Sequence, residues 1–256
     1  PQHTVTMLEG IQNKIGKDVP YDKACELTAL THDESLFTNL TTADGQKGVE
    51  AKYWNNENMQ GEPVVCTRYE SPISLDNGGN TVFEPNVELE HFTIQIKGIF
   101  TAQQTEDLVI NFAHDDGLRL IIDNDTIHNR WKSDYMKIWQ KPFHTIAGKQ
   151  YNIEIDYLQK TGSASLAFDI ARIENITTAD IVKTASDAQT IIFIGGISPN
   201  LEREEAKVDA PGFDNGDRTS IELPQVQRDV LKALHKAGKK IVFVNCSGSA
   251  VALTPE

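Results

Sequence analysis

The chain has 256 residues, of which 39% are hydrophobic and 24% charged, enough for one large domain or two ordinary ones with separate cores. A formal net charge of −13 argues against a nucleic-acid partner, since no basic stripe is present to displace phosphate counterions. The apolar runs at 190–194 and 241–244 are too short for a membrane span, so no membrane partner is expected.

From the amino end, Leu8, Ile11 and Ile15 recur at helical spacing and Gly16 supplies a stop, which predicts a first helix. Residues 18–25 follow as a short strand, and 38–47 read as a polar linker. Beyond Gly48 the period changes to two. Residues 49–54, 92–99, 108–112 (in part) and 151–157 alternate as strands, separated by turn clusters at 76–80, 115–117 and 161–163. Short strands at this spacing predict a sandwich or barrel of antiparallel sheets. After Glu174 helix and strand alternate. Residues 178–185 suggest a Thr-capped helix, and 190–194 a strand covered on both faces. Pro224 and Gly238 bracket a helix with a stripe of Val226, Val230, Leu231 and Leu234, and 240–245 make the next strand. That is a βαβ unit, with a parallel pair as the default.

The expected organisation is therefore an α/β fold in two sequence segments, 1–44 and 173–256, interrupted by an all-β domain at 45–172. The first segment is too short to hold a core alone, so both flanks are assigned to one sheet, with the β domain leaving from a surface loop. Cys25, Cys66 and Cys246 are odd in number and far apart, without disulfide or zinc spacing.

In open α/β sheets ligands sit beyond the carboxyl ends of the strands. The connection from Gly195 to Pro224 is far longer than usual and holds Glu202, Glu204 and Glu205 around Arg203. Neighbouring carboxylates raise at least one pKa, as a general acid requires; a solvated acidic loop paired with Arg203 or Lys207 is the plainer alternative. His114, His128 and His144 lack HxxxH spacing, Ser247-Gly248-Ser249 lacks a nucleophile-elbow setting, and both read as structural.

The run from Phe193 to Pro199, then Glu202 to Glu205, Pro211-Gly212-Phe213 and Gly216-Asp217-Arg218-Thr219-Ser220-Ile221-Glu222-Leu223-Pro224, resembles the C-terminal α/β sandwich domain of glycoside hydrolase family 3, the β-glucosidases and β-xylosidases. Val242 to Ala250 and Thr6 to Ile11 continue the likeness. Between them Tyr53-Trp54-Asn55 through Pro63 and Asp115-Asp116-Gly117 through Asp123 resemble a protective-antigen (PA-14) type domain. The resemblance implies part of a retaining, exo-acting β-glycosidase working with two carboxyl groups about 5–5.5 Å apart. Its substrate would be an oligosaccharide or aryl β-glycoside, with no cofactor and a periplasmic or secreted location. It places the acid/base at Glu204, or at Glu205 because Arg203 departs from the family's glycine. The family's nucleophile lies on a preceding TIM-barrel domain of roughly 250 residues that this chain does not hold, so the segment alone is expected to be inactive.

Asp115 and Asp116 are candidate substrate-binding residues, because some PA-14 lectins use paired aspartates to hold calcium against sugar hydroxyls. Calcium takes six to eight oxygens, and an Asp-Gly turn accounts for the pair equally well. Trp54 is a further substrate-binding candidate among Trp54, Trp131 and Trp139, although tryptophan in a sandwich is mostly core. The insert would then shape the substrate site. A non-catalytic carbohydrate-binding or adhesion module, with the α/β flanks as scaffold, is the competing expectation.

Overall fold

Thr6 accepts a hydrogen bond from the Glu9 amide at 3.1 Å, and Gly16 takes the left-handed conformation (φ 73°), so helix α1 (Met7–Ile15) starts and stops on its own caps. The computed structural model describes residues 5–132, 135–198, 201, 211–214 and 217–253. It contains two compact units: a β unit, Asp33–Ile173, and a split unit formed by Pro1–His32 with Glu174–Glu256.

The β unit begins before the boundary expected at 44/45. Its strands are β1 (Thr31–Ser35), β2 (Leu40–Thr41), β3 (Val49–Trp54), β4 (Val65–Tyr69), β5 (Ile73–Asp76), β6 (Phe92–Thr101), β7 (Glu106–His114), β8 (Gly117–Ile122), β9 (Asp125–Arg130), β10 (Lys137–Thr145), β11 (Gln150–Gln159) and β12 (Ser165–Asn175). One sheet has the order β1-β12-β7-β10, with β5 also on β12. The other runs β4-β3-β6-β11-β8-β9, with β2 also on β6. Alternate residues such as Ile94, Ile96, Ile153 and Ile155 are buried, as a half-covered pleated surface requires. Rings from opposite sheets close the core, Phe100 against Phe143 with centroids 5.7 Å apart. Gly98 matters here: a Cβ would lie 2.7 Å from Val49 Cγ1, so only glycine lets β3 approach β6.

Two expectations fail in this region. Residues 18–25 form no strand. Pro20 has no N–H to give, and the Asp22 carboxylate accepts from the Ala24 amide at 2.6 Å while Ala24 turns left-handed (φ 62°). Residues 38–47 are not a linker. Leu40 is buried, β2 pairs with β6, and the Thr42 amide and hydroxyl close a tight turn onto Gln46.

In the split unit come α2 (Thr178–Thr184), β13 (Thr190–Gly195), β14 (Phe213–Asp214), β15 (Asp217–Arg218), α3 (Gln225–Lys236) and β16 (Lys240–Asn245). Thr177 and Asp180 form a reciprocal capping box on α2. β13 and β16 are parallel, in register from Thr190↔Lys240 to Gly195↔Asn245. Ile181, Phe193, Leu223, Val230, Leu231 and Leu234 make the core, with Ala24, Cys25 and Leu30 packed against it from the first segment. Among the described residues that segment adds packing but no strand to the β13–β16 pair, so the expected shared sheet is absent. Nor, among the described residues, is β13 covered on both faces. Ile191 and Phe193 turn to the core, whereas Ile192, Val242 and Ile194 (45% exposed) line an open face. Among the described residues no helix is long and apolar enough to cross a membrane.

Candidate functional site

Strand β13 ends at Gly195, and the long connection that follows is tied at both ends. At its root, the Gly196 amide donates to Gln227 Oε1 (2.9 Å) and the Gly196 carbonyl accepts from Gln227 Nε2 (2.8 Å). The Ile197 amide donates to Ser247 Oγ at 2.9 Å, and that hydroxyl donates to Asn245 Oδ1 at 2.8 Å. Glu204 and Glu205, the acid/base candidates, lie outside the described residues, as do Glu202 and Arg203.

On the return leg β14 and β15, two residues each, pair antiparallel, and Arg218 is the anchor. Its guanidinium donates to the carbonyls of Ser220 (3.1 Å), Glu222 (3.2 Å) and Ala250 (2.7 Å) and to Ser249 Oγ (3.2 Å). One planar fork thus ties 218–222 to the segment after β16. Glu222 in turn pairs with Arg228 of α3. A shallow cleft of about 530 Å³ lies along Arg218, Ser220, Glu222 and Ala252.

In the β unit, Asp115 and Asp116 occupy the turn from β7 to β8. Asp116 is 2% exposed and left-handed (φ 51°), and its carboxylate accepts from the amides of Lys160 (2.7 Å) and Thr161 (3.3 Å). Asp115 Oδ1 accepts from the Asp116 amide at 3.0 Å, and burial pushes its carboxyl above the ordinary range. Asp116 therefore fastens the β11–β12 loop. Among the described residues no group of three or more His, Cys, Asp or Glu is placed to hold a metal ion. Near this turn, Glu57 meets His91 at 2.8 Å and Lys160 at 3.7 Å, and the Gly162 amide donates to Glu90. A cleft of about 420 Å³ opens there, lined by Glu88, Leu89, Glu90, His91, Gly162 and Ser163 among others.

Trp54 is 8% exposed and its indole N–H donates to the Gly61 carbonyl at 3.0 Å, inside the β3–β4 hairpin. Trp131 lies under the Arg119 guanidinium at 4.2 Å. Trp139 packs on His128 (4.7 Å) and His114 (6.5 Å). These two buried histidines carry low pKa values because burial disfavours the imidazolium, His128 down to about 4.

Sequence reasoning passed over Gln227. Its signal was available: a carboxamide within the apolar stripe of α3, next to Val226 and in line with Val230 and Leu231, where an unpaired amide would be costly. Asn77 was missed as well; it is buried and accepts from Gly79 and Ala164 at 2.8 and 2.7 Å.

A family model described as PA14 domain matches residues 45–179. The whole chain is 38% identical over 264 residues to a xylan 1,4-beta-xylosidase from Xylanibacter ruminicola, of which it spans 30%. It is 23% identical to a beta-glucosidase from Kluyveromyces marxianus over 97% of this chain and 31% of that protein. The crystal structure of that beta-glucosidase in complex with glucose superposes with a TM-score of 0.54 and 20% identity, over 97% of this chain and 31% of the other. An anti-sigma-I factor from Acetivibrio thermocellus is 25% identical over 56% of this chain and 22% of its own length. The chain thus spans about 30% of the length of that xylosidase and of that beta-glucosidase.

Proposed function

This chain belongs to the PA14 domain family, and from that premise we propose that it is the part of a retaining, exo-acting β-glycosidase that supplies the acid/base carboxyl and a substrate-shaping insert. The observation that carries this reading is the 38% identity to a xylan 1,4-beta-xylosidase along the entire chain, flanks and β unit together. A free-standing binding module would account for likeness in the β unit but not for likeness in both flanks.

On this reading the split unit is a piece of the family 3 α/β sandwich, and the parallel β13–α3–β16 succession supports it. The connection after β13 leaves the carboxyl end of that pair, where α/β sheets place their chemistry. In the first half-reaction a glutamic acid, Glu204 or Glu205, gives its proton to the glycosidic oxygen as the C–O bond breaks. An aspartate on a TIM-barrel domain elsewhere in the polypeptide forms the ester to the anomeric carbon. In the second, the glutamate takes a proton from water as it attacks that carbon, and the aspartate leaves. Xylosides and glucosides are both candidate substrates.

The test is steady-state hydrolysis of aryl β-xylosides and β-glucosides by the longer polypeptide carrying this segment. Glu204→Gln or Glu205→Gln should lower kcat on unactivated substrates by about 10²–10⁴-fold. Turnover unaffected by both changes would sink the assignment. The isolated segment is expected to be inactive, since half the carboxyl pair is supplied elsewhere.

A further inference from the structure

We propose that Gln227 is a positioning residue: with Ser247 it grips the backbone at Gly196 and Ile197 and so sets the direction in which the acid/base loop leaves the sheet. This rests on the reading above that the loop carries the acid/base glutamate.

The case begins with an anomaly in α3. Its inward face is apolar except for Gln227, which is 3% exposed. A packing residue at that position needs no polar atoms, and burying a carboxamide is unfavourable unless every bond is satisfied. All of its bonds go to backbone. Oε1 accepts from the Gly196 amide, while Nε2 donates to the Gly196 carbonyl and, at 3.3 Å, to the Leu27 carbonyl. One side chain thus holds both polar groups of a single residue, as a neighbouring strand would, at the point where the strand partner ends.

The opposite side of the same residue is equally constrained. Gly196 has φ 135°, a conformation L side chains rarely adopt, and a Cβ there would lie 2.6 Å from Ser247 Oγ and 2.9 Å from the Cys246 backbone. Ser247 Oγ accepts from Ile197, whose side chain is buried, and is itself oriented by Asn245. The Cys246 amide donates to the Gly195 carbonyl at 2.7 Å. Two side chains, Gln227 of α3 and Ser247 just after β16, together with the Cys246 amide, therefore fix successive peptide groups at the loop's exit. A glutamate several residues further on inherits any change of angle at this root, and displacement of a reacting group by about 1 Å costs about a hundredfold in rate.

The experiment uses the complete glycosidase with Gln227→Met, Gln227→Glu and Ser247→Ala, beside Glu204→Gln and Glu205→Gln. Each is assayed on a 2,4-dinitrophenyl and an alkyl β-glycoside, with and without azide. The expected result for Gln227→Met is a fall in kcat of about a hundredfold on the alkyl glycoside, which needs a proton for its leaving group, and a much smaller fall on the dinitrophenyl glycoside. Azide should partly restore the latter, because it replaces the base-assisted water, and KM on the dinitrophenyl glycoside should fall together with kcat as the glycosyl-enzyme accumulates. Gln227→Glu keeps the acceptor for the Gly196 amide and should fall between. Ser247 is half-buried, and Ser247→Ala removes only its bonds to Ile197 and Asn245, so the variant should fold and show the same leaving-group dependence, about tenfold. Equal losses on both substrates without azide rescue would overturn the proposal, and so would a Ser247→Ala enzyme indistinguishable from wild type. If neither Glu204→Gln nor Glu205→Gln impairs turnover, the acid/base reading fails instead, which separates the two.

Discussion

The β unit and the split unit bury apolar surface to different degrees. In the β unit both sheets turn a full face of Ile, Leu, Phe and Tyr inward, and the rings meet across the interface. In the split unit a small cluster lies on one side of the β13–β16 pair, while Ile192, Ile194 and Val242 remain open on the other. Hydrophobic burial is the main favourable term in folding, and within this chain the β unit has the larger share of it. The polar devices differ accordingly. Buried polar groups of the β unit such as Asp116 and Asn77 tie down its own loops, whereas Gln227 in the split unit grips the backbone where β13 ends.

The largest expected effect would break this contrast outright. Expressed alone, Asp33–Ile173 should give a single cooperative thermal transition followed by circular dichroism; 1–32 joined to 174–256 should melt without one. A cooperative melt of the second fragment would mean that its core is sufficient. Next, Phe168, fully buried in β12, should cost about 3–5 kcal/mol on Phe168→Ala in urea denaturation of the β unit. The same truncation at Ile194, on the open face, should cost less than about 1 kcal/mol.

Acidification sharpens the contrast further. Burial holds His114 and His128 below the ordinary 6.5, His128 at about 4. The folded β unit thus binds fewer protons than the unfolded chain. Its stability should be full above pH 6.5 and fall as pH drops from 6.5 toward 4. Asp115, Asp156 and Asp169, raised by burial, act in the opposite sense nearer their own range. His128→Phe isolates the histidine contribution: urea midpoints measured between pH 7 and 4.5 should slope less in the variant, and parallel slopes would contradict this. The smallest effect is local to the split unit. Thr177→Ala removes one half of the capping box on α2 and should lower stability by about 1 kcal/mol, read as a few degrees in the melting temperature of the complete polypeptide.

How far the sequence was legible follows the same division. β3 at 49–54 could be read residue for residue, because buried Val49, Ala51 and Tyr53 alternate with more exposed Glu50 and Lys52. β10 was passed over: Pro142 sits within it, and a strand tolerates proline at the edge of its sheet, where β10 lies. Leu40 and Thr41 hid in a polar stretch whose burial depends on pairing with β6, a contact no local window contains. In the split unit the helix stripe and parallel strands were plain, but continuous apolar runs suggested two covered faces where one is open. Of the site, Asp116 was found by its acidity, yet its carboxylate caps amides forty-odd residues away. Gln227 was missed since a single polar residue in an apolar stripe declares itself only once its Gly196 partner is placed.

The pairing of β1 with β12 has a consequence for how the chain closes on itself. The Leu36 amide meets the Ile170 carbonyl at 2.8 Å and the Ile176 amide meets the Leu30 carbonyl at 3.0 Å, so the two strands run antiparallel and side by side where the chain passes from one unit to the other. Adjacent strands lie about 4.8 Å apart. The two ends of the β unit therefore lie side by side, and the cost in chain entropy of bringing them together grows only slowly with the length of chain between them.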